Sequence, residues 1–457
     1  MSSPAAPGTE RSATTPGASA PEPLARELSR VALLALAING MVGAGIFGLP
    51  GKAFALTGAF SPFLFVLGGL LMTALMATFA QLASWFSGTG GPVAYVTAAF
   101  GPFAGFQTGW CLYTGRVVSL AANTNLLATY AGAGDGVLRV VVIAVVTLGF
   151  GALNVHGVRT GAQSLLALTL VKFAPLLLFA LAGLAFVSPE PFATLQMPAL
   201  GEFGPALLLV FYAFIGFEGA LVPAGEARDP RRDLPRVLLI TAAFTTLLYA
   251  AIQVVCISAL PGLATSERPL ADAAAAMARQ VAGEQAGSGA TTQIGTIAIL
   301  VVSAAAILSV LGNTAAATLS APRMTYALAR EGSLPAVFGA VHARTQTPHV
   351  SIWLYCGLGF VLGASGSFAE LAVISTLARL LGYIASVAAV PVLRRRFPAA
   401  TGLRLPGGLL IPAVAFVLCC WLAVQVDFAT VWRTAVLIGA GTVLFVGTRL
   451  WRSRRSR

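Results

Sequence analysis

Residues 35–51 read ALAINGMVGAGIFGLPG, and residues 204–226 read GPALLLVFYAFIGFEGALVPAGE. Both belong to apolar runs long enough to cross about 30 Å of hydrocarbon, and both are interrupted near the middle. In the first, Gly40, Gly43, Gly45 and Gly48 crowd together; in the second, Gly216 stands beside Glu218. Glycines let a helix unwind and expose peptide groups, and such irregular backbone persists at membrane depth only where it lines a cavity. Alone, the first segment is equally open to another reading, close helix packing through small residues. The second tips the balance, because interrupted helices at corresponding positions of two halves point to a transporter site. A break of this kind offers two half-helix ends. The carbonyls around Met41 point at an ammonium, and the N–H groups of Ala44 and Gly45 face a carboxylate.

Composition agrees that lipid is the solvent. Of 457 residues, 57% are hydrophobic and only 10% charged, against about a quarter charged in a soluble domain. The net charge of +12 suggests nucleic acid until its placement is read. The arginines follow apolar runs, at 228–236, 394–396 and 449–457, as in the cytoplasmic loops of membrane proteins. Residues 43–48, GAGIFG, formally match the dinucleotide pattern G-x-G-x-x-G. That fingerprint needs a preceding strand, a following helix and an acid some twenty residues on, and no acid lies between Pro50 and Gln81. The five cysteines lie inside apolar runs without a C-x-x-C pair, so neither a disulfide framework nor a metal site is expected. Residues 1–25, rich in Pro, Ala, Ser, Thr and Gly with no hydrophobic stretch, read as a disordered cytoplasmic tail and exclude a cleavable signal peptide there. Residues 451–457 read as a basic cytoplasmic tail.

Twelve runs have spanning length: 30–57, 60–86, 97–130, 138–156, 160–187, 204–224, 235–260, 293–320, 349–364, 368–393, 407–425 and 429–450. The Gly- and Pro-rich stretch after residue 86 is expected to lie at the interface, and the polar loop 261–292 to carry a short Ala-rich helix. With a cytoplasmic N-terminus, nineteen basic residues fall inside near the membrane and five outside (Lys52, Arg139, Arg268, Arg279 and Arg433). That asymmetry predicts an even number of spans with both ends cytoplasmic. Arg116, Lys172, Arg379 and Glu218 instead sit within apolar runs. Each is a functional hypothesis, because an intramembrane charge is expensive unless paired or hydrated.

The segment GMVGAGIF of the first run, together with FIGFEGALVPAGEARDPRRDLPR from the sixth, resembles the amino acid, polyamine and organocation (APC) superfamily of permeases. PRMTYALAREGSLP after the eighth run and ISTLARLLGYIASVAAVPVLRRR in the tenth are similar too, and the resemblance covers residues 26–450. It implies an all-α membrane protein of twelve helices, built as two inverted five-helix (LeuT-like) repeats plus two C-terminal helices, with helices one and six discontinuous. It further implies a substrate carboxylate at Gly43, Ala44 and Gly45, an ammonium at the carbonyls near Met41 and Ile215, and an aromatic gate at Tyr212 or Phe214. Where some relatives carry serine in the first break this chain has Ala44, so one side-chain hydrogen bond is missing. Backbone recognition should survive.

Lys172 lies about 12 residues into the fifth run, roughly 18 Å along a helix, too deep to snorkel to the nearer interface. A desolvated amine in that position is a candidate to load and release a proton. In proton-driven relatives a lysine of this span stands where sodium-driven ones bind a cation, and TLVKFAPLL resembles that pattern. This reading ranks above a static cation that holds the break of the first helix through its carbonyls, and above Glu218 as the proton carrier. Glu218 is otherwise a structural ion pair or a helix N-terminal acid. Arg116 falls where relatives have substrate-side polar residues and would disfavour cationic substrates; it equally suits a pair with Glu218. Asn313 is a pocket amide. Asn123, Asn125, Ser375 and Thr376 read as interhelical hydrogen-bond partners, and Arg379 as structural, toward the cytoplasmic half.

A membrane-embedded enzyme lacks a constellation: the three histidines, His156, His342 and His349, fall in or beside loops, and no H-E-x-x-H, G-x-S-x-G or P-loop occurs. A channel needs a continuous polar pore, whereas paired breaks suit alternating access. The expectation is a proton-coupled amino acid symporter of the cell membrane, or alternatively an exchanger without net proton coupling. It works in the lipid bilayer on a small-molecule amino acid, with no nucleic-acid partner, no metal, and the proton rather than sodium as coupling ion. The sequence assigns no oligomeric state.

Overall fold

A computed structural model describes residues 29–86, 91–157, 162–193, 195–221, 230–282, 288–397 and 403–455. The tail 1–25, Arg26, Arg159, Arg228 and Arg457 lie outside them. Among the described residues all regular structure is helical. The first half comprises α1 (Arg30–Met41), α2 (Ala44–Thr57), α3 (Ser61–Trp85), α4 (Gly91–Phe100), α5 (Pro102–Tyr130), α6 (Val137–Val155) and α7 (Ala162–Gly183). There follow α8 (Leu200–Ala213), α9 (Pro230–Ala259), α10 (Pro269–Ala282), α11 (Ser288–Ser320) and α12 (Pro322–Arg330). The chain closes with α13 (His349–Ser365), α14 (Phe368–Arg396), α15 (Leu410–Ala423) and α16 (Phe428–Arg455).

Every expected run is built mainly of helix over its described residues, with two instructive differences. The first is two helices, α1 and α2, separated at Val42 and Gly43. The run expected over 97–130 is divided at Gly101, whose φ of +90° turns the chain between α4 and α5; α4 is the distinct segment anticipated between the second and third runs. The loop 261–292 does carry its short helix, α10, which packs on α2, α9 and α11.

Seven helical stretches among the described residues are long and apolar enough to cross a membrane: Ala44–Trp85, Val137–Val155, Leu200–Gly219, Arg232–Ala259, Gln293–Arg330, Phe368–Arg396 and Phe428–Arg454. The remaining expected spans fall short for physical reasons. The break leaves α1 with 12 residues. Helix α5 has 29 residues, but Gln107, Thr108, Arg116, Ser119, Asn123 and Asn125 dilute its hydropathy, and nearly all of it is buried in protein. The outer surface is the converse. Leu177, Leu178, Leu181, Leu300, Val301, Trp432 and Val443 are all exposed, an apolar belt far larger than a soluble monomer tolerates. Lipid tails cover it.

Within lipid, helices are not driven together by the hydrophobic effect, so close backbone approach and polar bridges hold the bundle. Helix α14 lies along α5, α3 lies along α9, and α2 lies against α8. At Gly45 a methyl group would come within 2.7 Å of Ala213 Cα; glycine lets α2 and α8 touch. Asn125 donates to the carbonyls of Gly363 and Gly366 (3.1 and 2.7 Å), Ser375 to that of Gly115 (2.8 Å), and Asn154 to that of Thr318 (2.6 Å). The starts of α1 and α9 share one face of the molecule, joined by Arg30 and Asp233 at 2.8 Å.

Candidate functional site

The site grows from the two breaks. Helix α1 ends at Met41; Val42 takes up extended geometry (φ −80°, ψ 96°), and α2 starts at Ala44 with Gly43 as its unadorned N-cap. Helix α8 ends at Ala213, and the chain passes Phe214 and Ile215 to Gly216, at φ +127°, before a short 3-10 turn over Phe217–Ala220. A left-handed φ of this kind favours glycine. Here space demands it as well, since a side chain on Gly216 would strike the carbonyl of Gly40, and one on Gly40 the carbonyl of Gly216. The breaks therefore meet backbone to backbone. Met41, Gly43, Ala44, Gly45 and Ile215 all sit at or beside that meeting, and all are buried.

Three polar assemblies surround it. On the carbonyl side, Lys172 of α7 donates from Nζ to Asn39 O at 2.9 Å and Val42 O at 2.7 Å, within a fully buried setting. The Tyr249 hydroxyl of α9 donates to Met41 O at 3.2 Å. The carbonyls expected to meet an ammonium are thus partly engaged by the protein itself, although each keeps a second lone pair. On the N–H side no side chain caps α2, so its first-turn N–H groups lack intrahelical partners and face the second assembly. There Ser119 lies 3.2 Å from the Tyr212 hydroxyl, which donates to Asn123 Oδ1 at 3.1 Å. Asn123 donates in turn to Asn313 Oδ1 at 3.5 Å, and Asn313 Nδ2 packs directly over Gly43. Helices α5, α8, α11 and α2 are linked by this one chain.

The third assembly centres on Glu218. Its Oε2 accepts from Gly216 N at 3.1 Å and from the Tyr383 hydroxyl at 2.9 Å, while Oε1 lies 3.6 Å from Arg379 Nε. Phe79, Phe217 and Tyr383 close around it, with ring centroids 5.4 to 5.6 Å apart. The partner of Glu218 is therefore Arg379 of α14, not Arg116. Arg116 is half-buried and donates to Ser320 Oγ at 3.2 Å.

The two aromatic candidates part company. Tyr212 belongs to the polar chain and stands edge-on to Phe368, centroids 6.1 Å apart at 79°. Phe214 turns away to Tyr249 (5.2 Å) and Gly68, as packing between α3 and α9. Among the described residues no group of three or more His, Cys, Asp or Glu could hold a metal ion. The arrangement offers unpaired N–H groups, spare carbonyl lone pairs and neutral amides and hydroxyls at one place, which is chemistry for holding a small zwitterion.

A family model described as amino acid permease matches residues 28–451. The chain belongs to that family. It is similar to the branched-chain amino acid permease BcaP of Bacillus subtilis, 24% identical over 446 residues that cover 92% of each chain. It is also similar to the methylthioribose transporter of the same organism, 25% identical over 92% of this chain and 93% of that one. A third relative is the serine/threonine exchanger SteT of Bacillus subtilis, 26% identical over 82% of this chain and 84% of that one. This permease is a multi-pass membrane protein, and its relatives are transporters, not enzymes.

Sequence reasoning missed several residues that the permease places around the breaks. Arg379 was read as structural and apart from Glu218. Both had been singled out as charges within apolar runs, and the rule that such charges pair with one another was enough to join them. Asn123 is the interhelical hydrogen-bond partner expected, and its partners are Tyr212 of α8 and Asn313 of α11. Ser119, Tyr249 and Phe368 carry no charge and lie in none of the segments that resemble the family, and Tyr383, although inside ISTLARLLGYIASVAAVPVLRRR, carries no charge to single it out.

Proposed function

We propose that this permease is a secondary active transporter that moves an amino acid together with a proton across the cell membrane by alternating access. In this reading the twelve runs all span, helices one to ten form two inverted five-helix repeats, and both ends are cytoplasmic. The amino acid carboxylate docks on the N–H groups of Gly43, Ala44 and Gly45. Its ammonium uses the remaining lone pairs near Met41 and Ile215, Tyr212 and Asn313 close the pocket, and Arg116 sets its charge preference at the side. Phe214 has a packing role.

The observation that carries coupling is the position of Lys172. Its amine is buried, it forms no ion pair with a carboxylate among the described residues, and both of its hydrogen bonds end on carbonyls at the break of the first span. Charge-assisted bonds are roughly twice as strong as neutral ones. A proton on Lys172 therefore holds Asn39 and Val42 in the shape observed, and its loss frees the break to change. Glu218, bound to Arg379 and Tyr383, is the lesser candidate.

One reading competes, exchange without net proton movement. The name of the relative SteT supports it, as does the Lys172 clamp if its proton never leaves. Proteoliposomes separate the two. An inward pH gradient should drive accumulation of a radiolabelled amino acid, found by screening the twenty standard ones, with alkalinisation outside. Lys172→Gln should lose the pH dependence while retaining counterflow. Gradient-driven accumulation at the wild-type level in that variant removes Lys172 from coupling, and counterflow without any response to pH in the wild type establishes exchange.

A further inference from the structure

A large cavity lies apart from the breaks, at the end of the bundle away from the Arg30–Asp233 contact. It is an open cleft of about 790 Å³ between the ends of α2 and α5, the start of α6, and the junction of α13 with α14. Four charged side chains line it, Lys52 and Arg139 against Asp135 and Glu267, so its formal charge balances. Arg139 is the one among them that is half-buried and fixed. Its Nη2 donates to Asn125 Oδ1 at 2.6 Å, to Asn125 O at 3.4 Å and to Thr129 Oγ1 at 3.2 Å. Those bonds all leave from one nitrogen and hold the planar guanidinium in place beside the cleft, with its other donors available for a carboxylate.

The floor is apolar and thin. Phe368 and Leu126 close on Gly48, where a methyl group would lie 2.5 Å from the Phe368 ring and 2.9 Å from Leu126 Cδ1. The Phe368 ring also meets Tyr212 edge-on, and Tyr212 is part of the polar chain at the breaks. Phe368 thus touches both the cleft and the central assembly.

We propose that this cleft is a first docking site for a zwitterionic amino acid. Its carboxylate lies on Arg139, its ammonium lies toward Asp135 and Glu267, and its side chain rests on Phe368, which must swing aside for the substrate to pass down to Tyr212. The cleft discriminates by charge before the central site is reached: balanced charges favour a zwitterion over a plain anion or cation. This rests on the transport reading above and on the cleft facing the outside.

The test is the sidedness of KM in oriented proteoliposomes, with L-leucine as the probe, or whichever standard amino acid the uptake screen identifies. Arg139→Gln should raise KM for entry from the cleft side about tenfold, the effect of one charge-assisted hydrogen bond in a hydrated site. The maximal rate and the KM from the opposite side should stay within twofold, and Arg139→Lys should recover part of the loss. A merely structural role for Arg139 would instead change both directions together. Because Arg139 also anchors Asn125, a second variant is needed. Asp135→Asn with Glu267→Gln touches exposed side chains and should raise KM from the cleft side alone, while strengthening inhibition by 4-methylpentanoate, an anion that lacks the ammonium and meets only Lys52 and Arg139 there. An unaltered KM in both variants, or equal rises on both sides, overturns the docking site. Absence of any amino acid transport by the wild type overturns the transport reading instead.

Discussion

Glu218 and Arg379 show how a single pair of residues settles the local problem of charge in lipid. Each is at least nine-tenths buried, and each alone would be an uncompensated ion where water is absent. Removing one partner of such a pair typically costs about 3–5 kcal/mol, whereas replacing both by neutral groups is often close to neutral. Glu218→Gln should therefore lower the thermal midpoint of the detergent-purified protein sharply. Adding Arg379→Met should recover most of that loss, a coupling that a double-mutant cycle reads directly. If the single and double variants melt alike, the two charges are not coupled. Lys172 differs from Glu218 in kind: its hydrogen bonds end on backbone rather than on an opposite charge.

Among the elements, the interrupted helices carry the function in the proposed mechanism, and they are also where the sequence spoke most clearly. Gly40, Gly43, Gly45 and Gly216 announced irregular backbone, because glycine is expensive in a helix unless something needs the missing side chain. The division of α1 from α2 and of α8 from its 3-10 turn follows that signal. What surrounds the breaks was far less legible. Arg379 could be joined to Glu218 by the arithmetic of charge, but Ser119 of α5 and Phe368 and Tyr383 of α14 lie far in the chain from either break, and their meeting with it is a product of packing. The turn at Gly101 was obscured for a similar reason: α4 and α5 are both apolar enough to read as one run. At this scale Gly216→Ala is decisive. It adds roughly 1–2 kcal/mol for a left-handed φ and places a methyl group against the Gly40 carbonyl. The variant should lose transport and fall in thermal midpoint, whereas Gly219→Ala, three residues on with open space at its Cβ, should keep both. Equal behaviour of the two would mean that the contact between the breaks is dispensable.

For the molecule as a whole, the distribution of arginine and the exposed apolar belt set its place in the bilayer. Arg452 near the end of α16 lies against Gly332 in the loop after α12, and the basic starts of α1 and α9 share a face. In the proposed orientation this is the cytoplasmic face, and the cleft bounded by Asp135 opens outside. The native cysteines are buried or half-buried, so labelling has a low background. Asp135→Cys should react with a membrane-impermeant maleimide in intact cells, and Arg344→Cys only after permeabilisation; the reverse pattern would invert the topology and place the cleft inside. Beneath orientation lies the central claim, that peptide groups at two helix breaks grip the amino acid. The most direct measurement is the position of a bound amino acid in an experimental structure of the transporting protein. The account predicts a carboxylate within hydrogen-bond distance of the N–H groups of Ala44 and Gly45, with Tyr212 and Asn313 beside it. A substrate seated against Arg116 or elsewhere in the bundle, with the first turn of α2 untouched, would contradict it.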